Sequence, residues 1–474
     1  MRTYQNFVDA KNKEDIGKWI YEAVVEYKSS DEYQTASIAD EYARQKNVTI
    51  VNYQKMLYTV SGKEVPDIFS ANHKCASNFF NRFVTAEASY LLGNGASFKK
   101  PSTKKKLGED FDKKLYFAGK NALVHGVAYG FFNYDHLEVF KALEFAPLYD
   151  EENGALRAGV RFWQIDSKKP LRLTLYEEDG YTEYIMKDGN VKLYTDEQGV
   201  SGKRPYISIV NVTKADGAEV VAGENYPSFP IVPLWGNLYH QSEIVGVRSQ
   251  IDAYDLIKSG FANDLDDVSQ IYWTLENTGG MDDMSLAEFV QKMKTIKAAV
   301  VDGDSGAKAE SHTIDIPYQS RETYLDRLEK DLYKDYMALD VESIASGAAT
   351  ATQIKAAYEA PNQKADEFEY NVVDFVKEIL RLAGINDDVT FTRSLIVNQQ
   401  EMITTLIAAS GSLPDDYVTR KIIEIFGDID KADEIVEQVE QDEMERYKKN
   451  PPKPEKPEQE EEEAEEQGEE EVNE

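Results

Sequence analysis

Residues Ser343–Asn362, reading SIASGAATATQIKAAYEAPN, join a run of small residues (Ser346, Gly347, Ala348, Ala349) directly to a helix-forming segment that contains a proline. Long segments of heptad-like apolar spacing lie on both sides. A loop nearly free of bulky side chains, held between rigid helices, suits a moving part that touches something large and smooth. Its small tip permits close backbone approach and rearrangement at little steric cost. No residue in it carries catalytic chemistry, so the segment points to a mechanical protein and away from an enzyme.

A chain of 474 residues exceeds one core and implies about two to four structural units. Acidic residues outnumber basic ones 86 to 53, a net charge of −33. Glu455–Glu474 holds twelve carboxylates and one lysine, which leaves about −22 on the rest. An evenly acidic body is not the footprint of a sequence-specific DNA binder, so any contact with nucleic acid has to be local, transient or non-adhesive. The single cysteine, Cys75, excludes an intrachain disulfide, and its neighbours Phe79, Phe80 and Phe83 predict a buried thiol in a reducing compartment. The N-terminus lacks the apolar stretch of a signal peptide, and no run of about 18 apolar residues predicts a membrane helix. The expectation is a soluble chain made in a cytoplasm, with no membrane partner.

Along the chain, residues 1–60 read as amphipathic helix and loop, with a polar stretch through Ser29–Gln34. From Pro66 to Leu92 the spacing of Phe69, Ala76, Phe80, Phe83 and Leu91 predicts one long helix, stopped by Gly93-Asn94-Gly95. A lysine-rich loop (Lys99, Lys100, Lys104, Lys105, Lys106) follows; it is either solvated or a contact for phosphates or an acidic partner. Between about Ala128 and Val212 the period becomes two, with antiparallel strands at Gly159–Ile165, Leu171–Glu177, Tyr181–Lys187 and Val191–Thr195. Asp179-Gly180 and Asp188-Gly189 mark their hairpin turns. Tyr226–Pro233 reads as a proline-rich bridge that stops the sheet and leads to Trp235.

From Ser242 the pattern is helical. Ile244, Val247, Ile251, Tyr254, Ile257 and Phe261 form one apolar stripe on a rod of roughly 30 Å. A second rod spans Thr323–Asp340, striped by Leu325, Leu328, Leu332, Tyr336 and Leu339. The rods bracket a small α/β insert with strand-like Ile271–Leu275 and Ala298–Val301 and a short helix, Ser285–Lys294. A third helical run, Thr352–Leu382, should kink at Pro361, which lacks a backbone donor; beyond it Phe368, Val372, Phe375, Ile379 and Leu382 keep heptad spacing, and Gly384 stops it. Shorter helices fill Asn398–Ser410 and Asp415–Glu440, and a disordered glutamate-rich tail ends the chain. The fold class is α+β.

Motifs for catalysis are missing. Gly199-Val-Ser-Gly202-Lys203-Arg204 lacks the spacing and hydroxyl of a phosphate-binding loop, and Gly93-Asn94-Gly95 ends a helix where a dinucleotide site would open one. Gly303-Asp304-Ser305-Gly306 resembles a serine-protease nucleophile motif, but Ala307 follows and a polar turn surrounds it. Five scattered histidines (His73, His125, His136, His240, His312) and one cysteine make no zinc site. Asp264-Leu265-Asp266-Asp267 lacks the glycine and distal glutamate of a calcium loop and reads as a solvated helix end. No cofactor, metal or catalytic residue is expected.

Four segments in order resemble the bacteriophage portal proteins, in particular those of tailed phages of Gram-positive bacteria. They are Tyr90-Leu91-Leu92-Gly93 followed by His125-Gly126-Val127-Ala128-Tyr129-Gly130; Phe229–Asn237 (FPIVPLWGN); Ile251-Asp252-Ala253-Tyr254-Asp255 with Ser259 and Asn263-Asp264-Leu265; and Ser346-Gly347-Ala348-Ala349 with the helix after it. Their order and spacing over roughly 90–385 carry the resemblance.

That resemblance implies a ring, usually a dodecamer, at one capsid vertex. Double-stranded DNA passes non-specifically through its channel, pumped by a separate terminase large subunit and later ejected. Further partners implied are the major capsid and scaffolding proteins and a head-completion or adaptor protein, placing the chain in the virion and, during assembly, in the host cytoplasm. By position, 1–240 is a mixed α+β wing, 241–265 and 318–342 are stem helices, and 266–317 is a clip. Residues 343–351 are a tunnel loop (Ser343, Ser346, Gly347, Ala348, Ala349, Thr350), 352–384 a kinked wing-spanning helix, 385–445 a helical crown and 446–474 the acidic tail. Arg321, Arg327, Lys330 and Lys334 either give sparse positive rings in the channel or pair with Glu322, Glu329, Asp331 or a neighbour's acids. The acidic tail, which the resemblance does not include, is a solubilising disordered end, or lies inside the capsid near the crown, or binds a scaffolding or ejected protein. The competing reading is a scaffold or head-tail adaptor without a DNA channel.

Overall fold

The computed structural model describes residues 2–11, 15–58, 62–68, 70–187, 189–197, 199–213, 219–268, 272–276, 308–312, 318–341, 351–394, 399–426, 435–439 and 441. The chain divides into two compact units, 1–394 and 395–474. The first is α+β. Among the described residues no helix is long and apolar enough to cross a membrane.

The N-terminal helices α1 (Tyr4–Lys11), α2 (Ile16–Lys28), α3 (Asp31–Ala43) and α4 (Val48–Val51) follow one another closely. The polar stretch at 29–34 is a helix junction: Ser30 caps α3 by accepting from the Tyr33 amide. A short hairpin pairs β1 (Met56–Tyr58) with β2 (Glu64–Pro66). Then come α5 (Phe79–Leu92), β3 (Ala96–Phe98), α6 (Pro101–Leu107) and α7 (Phe111–His125). The lysine-rich segment is therefore no open loop. Pro101, with no amide hydrogen to lose, starts α6, and Lys99 and Lys104 pair with Asp388 and Asp112.

Seven strands follow in the order β4 (Val127–Asn133), β5 (His136–Lys141), β6 (Phe145–Tyr149), β7 (Leu156–Trp163), β8 (Arg172–Glu177), β9 (Gly180–Lys187) and β10 (Asn190–Leu193). β6 to β10 form an antiparallel meander, with β11 (Lys203–Arg204) added to β9. The β8/β9 turn falls at Asp179-Gly180, and β9 and β10 pair from Lys187 and Asn190, the residues that flank the second Asp-Gly pair. One apolar core lies between α1, α2 and this sheet: Phe7, Trp19, Ile20 and Val24 pack on Leu148, Val160, Phe162 and Leu173. β12 (Ile207–Thr213) and β13 (Glu219–Glu224) make a separate ribbon. The proline-rich segment does not end the sheet. Its second half is β14 (Ile231–Trp235), which pairs with β4 at the edge of a three-stranded sheet, where Pro233 costs no internal hydrogen bond.

Two glycines fix how the second core closes. Gly126 has φ +89°, and a Cβ there would lie 2.8 Å from the Gln241 backbone. The chain entering the next helix crosses there, with Gly236 donating to the Gly126 carbonyl at 3.0 Å. Gly130, in β4, lies under Phe375, whose ring would be 2.4 Å from an added Cβ.

α8 (Ile244–Val268) and α9 (Tyr318–Asp335) are the two rods, joined through β15 (Tyr272–Glu276) and β16 (Lys308–His312), an antiparallel pair. The rest of the insert, with the predicted helix at 285–294, strand at 298–301 and the Gly303–Ala307 turn, lies outside the described residues. The second rod ends at Asp335, short of Asp340. Met337 adopts φ +62°, and the Met337 and Ala338 amides bond back to Lys334 and Tyr333, closing the helix as a left-handed cap. α10 (Ala351–Ala357), α11 (Glu359–Leu382) and β17 (Val389–Phe391), which pairs with β3, complete the unit. Gly384, at φ +66°, ends α11. In the second unit, α12 (Gln399–Ala409) and α13 (Asp415–Phe426) are described, with Val418, Ile423 and Val436 buried.

The largest departure from the sequence expectation lies before α5. The helix begins at Phe79, not near Pro66, and residues 71–78 run without helix or sheet. On α8 the buried stripe is apolar only at Ile244, Val247 and Ile251; from there it is Asp255, Ser259 and Asn263, while Ile257 and Phe261 are only half-buried. These three polar side chains accept the amides of Ser77 (2.8 Å), Cys75 (2.9 Å) and His73 (2.6 Å) in turn. Four helical residues rise about 6.0 Å and two extended residues about 6.6 Å, so every fourth side chain of α8 meets every second amide of the segment. The helix supplies the acceptors that a neighbouring strand would. Cys75 lies in this strap half-buried, not in the aromatic core.

Asp255 also accepts from Asn47, and Asp252 from Tyr42 and Thr49 (2.8 Å), so α3 and α4 are tied to the same helix face. Asp255→Ala should cost about 3 kcal/mol, because it strands two buried donors, whereas Asp255→Asn should cost less; urea denaturation of both variants checks the order. Gly130→Val should lower stability by at least about 2 kcal/mol, since the Phe375 ring has to leave its place.

Candidate functional site

The α8/α9 hairpin sorts the four cations singled out in the sequence. At 3.6 residues per turn, Arg327, Lys330 and Lys334 fall within roughly 60° of one another, opposite the buried Leu328 and Leu332. All three are exposed. Arg327 also meets Asp331 one turn on, at 3.7 Å, a solvent-exposed pair worth under about 1 kcal/mol. Arg321 is set apart: it turns inward and pairs with Asp264 of α8, bridging the hairpin. The result is an outward ridge of three positive charges on a hairpin that carries a fourth internally.

The small-residue loop, Ser343, Ser346, Gly347, Ala348, Ala349 and Thr350, lies outside the described residues. Its two flanks are described. Before it stands the left-handed cap at Met337. After it the helical run divides at Tyr358, and Pro361 sits in the first turn of α11, leaving the Ala357 carbonyl without its usual amide partner. This junction is braced from both sides. The Tyr90 hydroxyl donates to Asn362 at 2.6 Å, the Tyr90 ring stacks on Tyr358, and Arg393 reaches Asn362, Asp366 and Glu369.

Between these flanks lies a buried charge cluster. The Lys364 ammonium, from α11, is 2.6 Å from Glu243 at the start of α8 and 3.3 Å from Glu87 of α5. It also donates to the Tyr336 carbonyl at 3.2 Å and stands 3.4 Å above that ring. The Tyr336 hydroxyl donates to Glu87 at 2.7 Å, and Asn237 donates to Glu243 at 2.7 Å. Burial pushes the Glu87 carboxyl up to about 7, with Lys364 opposing the shift and Glu243 adding to it. Burial works against the Lys364 ammonium, yet the two carboxylates outweigh it and hold its pKa above the usual lysine value. Burial, then Glu87 and Glu243, raise the Tyr336 phenol well above its ordinary range. A cavity of about 450 Å³ opens beside the cluster, walled also by Gly236, Asn237, Asp335, Gln363 and Glu367.

Sequence reasoning did not single out these residues, though it had a signal for them. Glu87 occupies a position of the α5 apolar stripe, one turn after Phe83, and Lys364 stands one turn before Phe368 on α11. A charge on a buried stripe requires a partner, because an unpaired one is expelled or neutralised. Among the described residues no group of three or more histidine, cysteine or carboxylate side chains is placed to hold a metal ion.

Of the four segments singled out in the sequence, FPIVPLWGN reaches this cluster through Gly236 and Asn237, with the Gly126 crossing beneath it, and the helical run after the small-residue loop supplies Lys364. Residues 68–471 match the family described as phage portal protein, SPP1 Gp6-like. The portal protein of Clostridium phage phiCD119 is 30% identical over 210 residues, covering 42% of this chain and 46% of its own length. The portal protein of Bacillus phage SPP1 is 24% identical over 438 residues, 83% of each chain. The chain thus spans about half of the first relative and most of the second. A chain from the neck of an empty GTA particle has a TM-score of 0.41 at 11% identity, covering 74% of this chain and 90% of that one. With nearly all of its length past residue 67 taken up by one family, the chain belongs to the SPP1 Gp6-like phage portal proteins.

Proposed function

We propose that this chain assembles into a closed ring, a dodecamer, at one vertex of a phage capsid. The ring is a conduit for double-stranded DNA during packaging by a separate terminase and during ejection. It contributes no catalytic step of its own and serves as a platform for capsid, scaffolding and head-completion proteins. The observation that carries this reading is the family match over 68–471. In this assignment 1–240 is the wing, α8 and α9 the stem, 266–317 the clip that meets terminase, 343–351 the tunnel loop, 352–384 the wing-spanning helix and 385–445 the crown.

The electrostatics support a conduit over a clamp. Duplex DNA carries one negative charge per about 1.7 Å, and a densely basic lining would hold it through counterion release. This chain offers a net charge of −33 and one outward ridge of Arg327, Lys330 and Lys334 per subunit. Repeated around a ring, the ridge gives sparse positive bands within an acidic wall, enough to centre the duplex and too few to stop it.

Native mass spectrometry with negative-stain imaging tests the ring. Closed assemblies of about twelve subunits with a hole wider than the roughly 20 Å of duplex DNA are expected; a small dimer or trimer without a hole would favour the adaptor reading. For rings that form, DNA retention should be weak and fall steeply between about 50 and 200 mM salt. Replacing Arg327, Lys330 and Lys334 by glutamine should flatten that dependence and leave ring assembly unchanged. An unchanged salt slope would remove the ridge from the DNA path.

A further inference from the structure

The chemistry that the conduit reading leaves unused is concentrated at the Lys364 cluster. Two buried carboxylates share one ammonium there. The groups facing Glu87 come from each element packed on it: Lys364 and, farther along the cavity wall, Glu367 from α11; the Tyr336 hydroxyl and Asp335 from the end of α9; and Glu243 from the start of α8. With Glu87 protonated, Lys364 and Glu243 make a neutral pair. With Glu87 ionised, one negative charge is in excess in a place that water reaches only through the adjoining cavity.

We propose that this cluster is a proton-dependent joint: Lys364 is a positioning residue that fastens α11 to the α8/α9 hairpin, and the cluster as a whole is less stable once both carboxylates are ionised, because one buried negative charge is then left without a counter-charge. The geometry ties four elements to one atom. Lys364 Nζ touches α8 through Glu243, α5 through Glu87, and the α9 cap through the Tyr336 carbonyl and ring. That cap closes α9 at Met337, so the ammonium sits at the open end of the hairpin, where α8 begins and α9 ends.

The direction of the pH effect follows from Glu87. Its carboxyl holds a proton up to about pH 7 in the fold, against 4.5 for an ordinary glutamate. Over that window the folded chain binds a proton that the unfolded chain has shed, so this group's contribution declines as pH rises and is spent above about 7. The joint belongs to a single subunit, so it stands or falls apart from the ring and the channel.

Hydrogen exchange of the Tyr336, Met337 and Ala338 amides reads the joint directly, because all three bond back into α9. With intrinsic rates divided out, their protection in the wild type should fall by up to about tenfold between about pH 6 and about pH 8.5. Glu87→Gln, of the same shape and always neutral, should hold its protection across that range. Lys364→Met should lose protection at these amides at both pH values while β7–β9 keeps its own, and Lys364→Arg should restore it. A parallel pH response in the wild type and Glu87→Gln overturns the proposal, as does a loss in Lys364→Met spread evenly over the sheet. If Lys364→Met does not fold, the comparison of the wild type with Glu87→Gln decides alone.

Discussion

One ammonium group, Lys364 Nζ, is the point that the large α+β unit is arranged around. It joins a helix from residues 79–92, the two ends of the 244–335 hairpin and the helix at 359–382, four pieces far apart in sequence. Apolar packing brings these elements together but does not by itself choose one arrangement among several of similar burial. A buried charge does choose, since every misplaced arrangement leaves it without partners. The Gly126 crossing and the Phe375 ring over Gly130 then fill the space that this junction defines.

The parts of this architecture that were legible in the sequence are those whose cause is local. The meander at 145–193 announces itself through alternating residues and two Asp-Gly turns, both partners of each hairpin lying within a few residues. The heptad spacing of Phe368, Val372 and Phe375 marks a buried helix face for the same reason. What was not legible has its cause elsewhere in the chain. Residues 71–78 carry Ala76, a member of the helically spaced set that runs from Phe69 to Leu91, yet they stay out of a helix because their amides find acceptors on α8, nearly two hundred residues later. Arg321 resembles Arg327 and Lys330 in composition, and only its position on the buried side of α9, facing Asp264, sets it apart.

Charge is managed differently on the inside and the outside of this chain. Outside, the acidic excess is interrupted by local groups of cations, among them the ridge of Arg327, Lys330 and Lys334 and the lysines of 99–106, whose effect is screened over about a Debye length. Inside, the carboxyls of Glu87, Glu243 and Asp255 are each held by hydrogen bonds.

The strap along α8 behaves like a vernier. Its two scales differ by roughly 0.6 Å per division, the gap between four helical residues and two extended ones. The mismatch is tolerable over the two divisions that the three contacts span, His73, Cys75 and Ser77 against Asn263, Ser259 and Asp255, and would throw a much longer scale out of step. A slip of one residue would aim a carbonyl at the Asp255 carboxylate, and although Ser259 and Asn263 can turn to donate, that carboxylate confines displacement to whole divisions of two residues. Its register is therefore quantised, and a chain threaded wrongly is wrong by a discrete step, with no continuum of near misses between.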